Sequence, residues 1–279
     1  MRLKSSAALL LSLPLTAGAN LPAQTPLPVL SHSRIDASQL NQPHWTAPLI
    51  TSSPRIEKGL STEFTRQTAS DHQTTWNYGN GKGLQVILFP RVELRVSPPP
   101  YITHSNPHTE DGFGDISFRL KYRLYGSNAA HHNAIVSAAL GASVPTGTSN
   151  NGSCCAVLSP TLFLGKGFGP FAFTSTVGAA LPVSGTNRLG RPIAWNSAFQ
   201  LHAHGPLWIE NEFNATFFHG GKNDGRQQLF ATPGLILSRL PLGPRNRAPQ
   251  LTVGVGEQIA LTHFSTYNHA PIFVARLRF

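Results

Sequence analysis

The chain has 279 residues, of which 40% are hydrophobic and 12% are charged, about half the charged fraction of roughly 25% found in soluble domains. It has no apolar run of about 18 or more residues, which excludes a membrane-spanning helix. The 25 glycines and 23 prolines are spread along the chain, which excludes a helix bundle. The net charge of +10 does not indicate nucleic-acid binding, because the basic residues form no runs. This composition favours a β-barrel whose outer face contacts lipid.

The first residues have the layout of an export signal. Arg2 and Lys4 form a short positive region, residues 7–15 are apolar, and residues 17–19 read Ala-Gly-Ala, a small-x-small cleavage site. We therefore predict a signal peptide over residues 1–19 and a mature protein that works outside the cytoplasm.

Residues 20–55 form a proline-rich extension without an apolar period. This composition is typical of a disordered arm, which we place on the periplasmic side of the membrane. The alternative is a segment that folds into the mouth of the barrel and plugs it.

From about residue 56 to residue 279 the sequence alternates between apolar and polar side chains. In the run Phe118-Arg119-Leu120-Lys121-Tyr122, for example, the apolar residues fall on one face of a strand and the cations on the other. In a membrane barrel, the apolar face meets lipid and the polar face lines the lumen. The predicted strands are 56–68, 82–89, 91–98, 113–125, 133–145, 157–166, 170–183, 192–204, 206–218, 227–240, 249–263 and 268–279.

Most connections between these strands alternate in length. The exceptions are residues 126–132 and 241–248, which are not tight, and the short outer connection 264–267. Tight turns are predicted at Pro90 and at Gly205-Pro206, and longer polar loops at 69–81, 99–112 and 146–156. Short periplasmic turns and longer outer loops are the rule in outer-membrane barrels. The predicted fold is therefore all-β: a single closed antiparallel transmembrane barrel of about twelve strands.

The last strand carries aromatic and aliphatic residues in phase. Phe273, Leu277 and Phe279 share one face, whereas Arg276 and Arg278 lie on the other. This resembles the terminal-strand signature of bacterial outer-membrane proteins, whose final aromatic residue is read by the barrel-assembly machinery. We expect the three apolar residues to act as that assembly signal.

Three motifs resemble a known family. Residues 112–122, Gly-Phe-Gly-Asp-Ile-Ser-Phe-Arg-Leu-Lys-Tyr, look like the strand start of the outer-membrane "MetA-pathway of phenol degradation" barrels, and residues 91–96 and 144–147 look like two further strand segments of that family. The resemblance implies an outer-membrane barrel over roughly residues 56–279, and it carries over no catalytic residue. Physically, the two glycines permit a sharp entry into a strand, and Asp115 can accept hydrogen bonds from nearby amides.

Ten polar residues are predicted to line the lumen. They are Glu93, Arg95, Arg119, Lys121, Arg123, His202, Glu210, Glu212, Arg276 and Arg278. Cations outnumber anions in this set. Two interpretations stay open: cross-strand ion pairs that brace the lumen, or a pore that favours anions.

The sequence offers little for catalysis or metal binding. No Ser, His and acidic residues have a spacing that indicates a catalytic triad, so we do not expect an enzyme and expect no cofactor. His202 and His204 share a strand face, but two histidines without a third ligand make a weak metal site, and we predict none. Cys154 and Cys155 are adjacent in an outer loop, where a vicinal disulfide, a free dithiol or an intermolecular bond are the alternatives.

Glu257 falls in phase with lipid-facing residues of its strand. Because Gly254 and Gly256 precede it, we predict a β-bulge between residues 254 and 258 that turns Glu257 into the lumen. The competing interpretation is a regular strand, with Glu257 near the outer headgroups.

These features predict an outer-membrane channel for passive passage of small solutes, with aromatic and anionic solutes as the classes considered. The alternative is a non-conducting barrel with a structural, assembly or adhesion role. The expected partners are outer-membrane lipid and lipopolysaccharide, the barrel-assembly machinery and small solutes, and not nucleic acid.

Overall fold

A computed structural model describes residues 39–244 and 249–279. The predicted signal peptide and residues 20–38 of the extension lie outside the described residues. No helix in the described part of the chain is long and apolar enough to cross a membrane.

Antiparallel strands make up most of the described chain. They are β1 (Gly59–Thr68), β2 (Thr74–Tyr78), β3 (Leu84–Phe89), β4 (Val92–Ser97), β5 (Tyr101–His104), β6 (Gly112–Phe113), β7 (Ile116–Ser127), β8 (Ala134–Val144), β9 (Val157–Phe168), β10 (Phe171–Ala179), β11 (Leu181–Pro182), β12 (Ile193–His204), β13 (Leu207–Phe217), β14 (Gln227–Pro241), β15 (Gln250–Ala260) and β16 (His269–Arg278). Short helical turns lie in two outer loops, at Thr186–Leu189 between β11 and β12 and at Gly221–Asn223 between β13 and β14.

The strands form successive crossings of the barrel wall. Each crossing pairs with the crossings before and after it along the chain, and the last crossing pairs with the first. β16 pairs with β15 on one side and with β1 on the other, from Gly59↔Arg278 to Thr68↔His269. β2 with β3, β4 with β5, β6 with β7 and β10 with β11 each form one interrupted crossing. The result is a closed antiparallel barrel of twelve strands, as predicted.

The alternation of the sequence explains which side chains face the membrane. On β9, Leu158, Leu162 and Leu164 are at least 40% exposed on the outer surface, whereas Phe163 between them is fully buried in the lumen. Polar and charged residues are buried on the inner face of the wall, and an apolar band covers the outside. This is the arrangement that a lipid-facing barrel requires.

Two predicted loops are shorter than expected. The segment predicted as loop 69–81 contains β2, and the segment predicted as loop 99–112 contains β5, which pairs with β2. The sequence pattern does not predict β2 and β5, because neither strand has a clean apolar alternation. At the outer rim of the barrel, strands such as β2 and β5 can stay hydrogen-bonded to each other beyond the membrane. There, no lipid contact requires one face of the strand to be apolar.

The predicted bulge at Glu257 is wrong. The β15–β16 register runs without a shift from Gln250↔Arg278 to Ile259↔His269. Glu257 stays outward near the outer end of β15, where Oε1 lies 2.9 Å from Nδ1 of His269. The competing interpretation, a regular strand with Glu257 close to the headgroups, describes the structure.

The outer face of the last strand, β16, carries the predicted assembly residues Phe273, Leu277 and Phe279 next to the β1–β16 pairing that closes the barrel. Lys58 Nζ lies 5.2 Å from the centre of the Phe279 ring. Their role as an assembly signal stays a prediction. We expect Phe279→Ala to lower the amount of heat-resistant folded protein in the outer membrane, because the terminal aromatic group is lost. Phe279→Tyr, which keeps an aromatic ring, should assemble normally, and equal levels for both variants would contradict the signal. Heat-modifiable gel mobility of outer-membrane fractions measures this.

Candidate functional site in the barrel lumen

The predicted lumen residues on β4 and β7 lie on the inner face. Lys121 Nζ lies 3.0 Å from Glu93 Oε1, and each of these side chains is 1% exposed. They are also register partners, so this is a cross-strand ion pair of the kind predicted. Arg95 and Arg119 face one another in the same register, and Arg123 is buried beside them.

The other predicted lumen residues surround the same space. Glu210 and Glu212 are buried on the inner face of β13, and Arg276 and Arg278 are half-buried on the inner face of β16. His202 lies at the periplasmic end of β12, where its ring stacks on Trp208 at 4.6 Å.

Residues 42–56 occupy the centre of the barrel, and we call them the lumen loop. Its two ends are joined: the Gln42 side-chain amide donates to the Ile56 carbonyl at 2.8 Å, and the Ile56 N–H donates to Gln42 Oε1 at 3.0 Å. The ends are close and the loop between them is packed, as in Ω-loops. The loop leads into β1 at Gly59, which pairs with Arg278 at the periplasmic end of β16, so it enters and leaves from the periplasmic side.

Two carboxylates on β13 hold backbone N–H groups of the lumen loop. Glu210 Oε1 accepts from Leu49 N at 2.9 Å, and Glu212 accepts from Ile50 N at 2.8 Å and from Thr51 N at 2.6 Å. A hydrogen bond contributes about 0.5–1.5 kcal/mol net to stability, and leaving a buried N–H without a partner costs about 1–3 kcal/mol. The two predicted lumen acids thus anchor the tip of the loop.

Basic and hydroxyl side chains hold the carbonyl groups of the loop. Arg276 donates to the carbonyls of Ala47, Pro48 and Leu49. Lys121 Nζ donates to the Arg55 carbonyl at 2.8 Å. Further donors to loop carbonyls are Ser137 Oγ to Pro54 at 2.6 Å, Lys82 Nζ to Leu49 at 3.1 Å, and Arg239 to His44. Arg119 donates to a loop side chain, Ser52 Oγ, at 2.9 Å. The lumen charges therefore bind the loop as well as one another.

Leu49 fills an apolar recess in the otherwise polar lumen. It is fully buried and forms a cluster with Ile236, Ile272 and Val274. Gly234, Gly254 and Gly256 make the recess: a Cβ atom on these residues would lie 2.4, 2.5 and 2.7 Å from Leu49 methyl carbons. The glycines that suggested a bulge are therefore required for close packing of the loop.

This recess gives a direct test of the loop position. We expect Gly254→Val to displace the lumen loop, because its side chain would overlap Leu49, and to make the loop accessible to protease added from the periplasmic side. Adding Leu49→Ala to Gly254→Val should restore protection, since it vacates the space. Protection of the single variant equal to wild type would contradict this packing. Limited proteolysis of the folded protein measures the effect.

The motif residue Asp115 organises an outer loop. Its Oδ1 accepts from Thr146 N at 3.0 Å and Gly147 N at 2.9 Å, and its Oδ2 accepts from Ser153 N at 2.7 Å. The family-like segments 112–122 and 144–147 therefore meet in space, and Asp115 has a structural role there.

Cys154 and Cys155 lie in that outer loop as thiols, with their Sγ atoms 2.7 Å apart. The hydrogen bond between them raises the pKa of Cys154 and lowers that of Cys155. A disulfide between them stays a prediction. Among the described residues, no group of three or more His, Cys, Asp or Glu side chains could hold a metal ion.

Two cavities lie on opposite sides of the lumen loop. The mouth cavity, at the periplasmic end, has a volume of about 560 Å³ and is bordered by His44 and Trp45 of the loop. The outer cavity has a volume of about 230 Å³ and is bordered by Ile50, Ser52 and Arg119.

Sequence reasoning placed the lumen acids and cations on the inner face but did not identify their partners in the extension. The signal available was weak: isolated apolar residues, Trp45, Leu49 and Ile56, in a proline-rich segment. Each of the three is at most 5% exposed. The contacts of this segment are with the surrounding barrel wall, so they leave no periodic pattern in the sequence of the segment.

Residues 53–193 match the family described as "Putative MetA-pathway of phenol degradation". The chain belongs to this family. The match includes the two MetA-pathway segments that Asp115 joins, so the sequence resemblance is confirmed. No curated protein sequence matches the chain.

Solved structures that this barrel resembles include an outer membrane channel and a porin. The COG4313 outer membrane channel from Pseudomonas putida F1 aligns with a TM-score of 0.54 at 14% identity, covering 84% of this chain and 100% of that one. The NanC porin aligns with a TM-score of 0.50 at 9% identity, covering 79% of this chain and 98% of that one. At these identities the likeness shows a shared fold. Together with the apolar outer band, that fold places the chain in the bacterial outer membrane.

Proposed function

We propose that this protein is an outer-membrane channel for passive passage of small solutes, with a preference for anions. The observation that carries the proposal is the pair of cavities at opposite ends of a closed, polar-lined barrel. The lumen loop lies between them, and we propose that it acts as a plug that restricts passage. The proposal assigns no enzymatic reaction to the chain.

The charge of the lumen supports a preference for anions. Among the described residues, the cations in or facing the lumen are Arg55, Lys82, Arg95, Arg119, Lys121, Arg123, Arg239, Arg276 and Arg278, and the anions are Glu57, Glu63, Glu93, Glu210 and Glu212. Rings of basic side chains select anions in pores. Ion pairs neutralise part of this charge, so bracing and selectivity coexist in one lumen.

A planar bilayer under a KCl gradient tests the proposal. We expect a steady current whose reversal potential shows a preference for chloride. Arg119→Gln should reduce that preference, because Arg119 lines the outer cavity. Lys222→Gln removes a charge from an exposed outer loop and is the matched control, with little effect expected because salt screens it.

The second candidate is a barrel that does not conduct. It is favoured by the complete burial of Leu49 at the centre of the lumen. Absence of current from folded, inserted protein would support this candidate and overturn the channel. A preference for potassium over chloride would overturn the proposed selectivity.

A further inference from the structure

The mouth cavity has an aromatic wall. The rings of His202 and Trp208 stack at 4.6 Å with an interplanar angle of 20°, and Trp208 also packs against the cluster that contains Trp45. His202 Nε2 lies 2.8 Å from the Gly205 carbonyl oxygen, which fixes the ring in place. A flat ring of a solute can pack against such a rigid wall with little loss of side-chain entropy.

The polar groups at the cavity favour a negative charge. Arg239 lines the cavity, and no acidic side chain does so among the described residues. Burial and then the Arg239 guanidinium lower the pKa of His44, and the same guanidinium donates a hydrogen bond to the His44 backbone carbonyl. Trp45, which is 5% exposed, also has an Nε1 donor without a hydrogen-bond partner in the described part of the chain.

The size and composition of the cavity are those of a small-molecule site. Its volume of about 560 Å³ lies within the range of about 300–1,000 Å³ typical of ligand pockets. Such pockets combine apolar and aromatic walls with a few polar groups that set orientation. Here the wall and the cation are supplied by different strands, β12, β13 and β14, and by the lumen loop.

We propose that the mouth cavity is a binding site for a small aromatic carboxylate, whose ring packs against His202 and Trp208 and whose carboxylate pairs with Arg239. The site deepens the proposed channel function by naming a solute class. Binding at the mouth does not require conduction, so the two proposals can fail separately.

Equilibrium dialysis of radiolabelled benzoate against the purified full-length protein in detergent tests the site. We expect saturable binding at one site per chain. Cyclohexanecarboxylate, which has the charge but no aromatic ring, should compete about tenfold less well. Benzyl alcohol, which has the ring but no charge, should also compete weakly.

Variants assign the two contacts. We expect Trp208→Ala to weaken benzoate binding about tenfold and Trp208→Phe to restore most of it. Arg239→Gln should weaken benzoate binding without changing that of benzyl alcohol. Trp195→Ala is the control, because it removes an indole from the outer surface, where Trp195 is 52% exposed.

Three results would overturn the site: no saturable binding by protein with heat-modifiable mobility, equal competition by benzoate and cyclohexanecarboxylate, or an equal loss in Trp195→Ala and Trp208→Ala. Binding without any bilayer current would keep the site and refute the channel. Current without binding would keep the channel and refute the site.

Discussion

Removing residues 43–55 and joining Gln42 to Ile56 through two glycines is expected to raise the single-channel conductance several-fold. The removed segment lies between the mouth cavity and the outer cavity, and its backbone is hydrogen-bonded to Glu210 on β13 and to Lys121 on β7. Without it, the two cavities merge into one continuous path. Conductance of the variant and of wild type in planar bilayers measures the effect.

The anchoring acids provide a graded version of the same experiment. Glu210→Gln with Glu212→Gln keeps the loop in the chain but leaves one acceptor oxygen where each carboxyl group uses two. Because a Gln amide has a single acceptor oxygen and donates from its nitrogen, the loop loses hydrogen bonds, and we expect more frequent openings to the high-conductance level. A conductance unchanged in both variants would show that the lumen loop does not obstruct the path.

Leu162→Arg is expected to prevent barrel assembly, whereas Thr161→Arg is expected to permit it. The two residues are neighbours on β9, but Leu162 is 44% exposed to lipid and Thr161 faces the outer cavity. Arginine on the lipid face near the midplane costs about 2–4 kcal/mol. At position 161 an arginine side chain would extend into the outer cavity, which has polar lining residues. Heat-modifiable mobility after refolding into lipid vesicles compares the pair, and similar yields would contradict the assignment of faces.

The fold could be predicted because its information is local. Period-2 alternation in segments such as Phe118-Arg119-Leu120-Lys121-Tyr122 indicates which side chains face lipid. A strand register shifted by one residue would turn the charged side chains toward lipid, and the cost in free energy excludes that register. The same alternation puts Glu93 and Lys121 on the inner faces of two paired strands, where the structure joins them in an ion pair. It failed for β2 and β5, where the strands leave the membrane and the constraint ends.

The candidate site was only half predictable. Glu210, Glu212 and Arg276 could be placed on the inner face from alternation alone, but their partners lie in the extension, more than 150 residues away in sequence. The glycines at 254 and 256 show the same limit. A glycine in a strand is consistent with a β-bulge or with another segment packed closely against the strand backbone. The local sequence pattern does not distinguish these two causes.

The sequence by itself determined that this chain closes a twelve-stranded barrel in the outer membrane, because lipid on one side and a polar lumen on the other impose a pattern on every strand. The tertiary structure alone decided what fills that lumen. The recess that holds Leu49 exists only in the closed barrel. The same is true of the side chains that hydrogen-bond to the backbone of residues 47–55, because they come from strands on different sides of the wall. Contacts of that kind depend on distances across the closed barrel, which no periodicity along the chain contains.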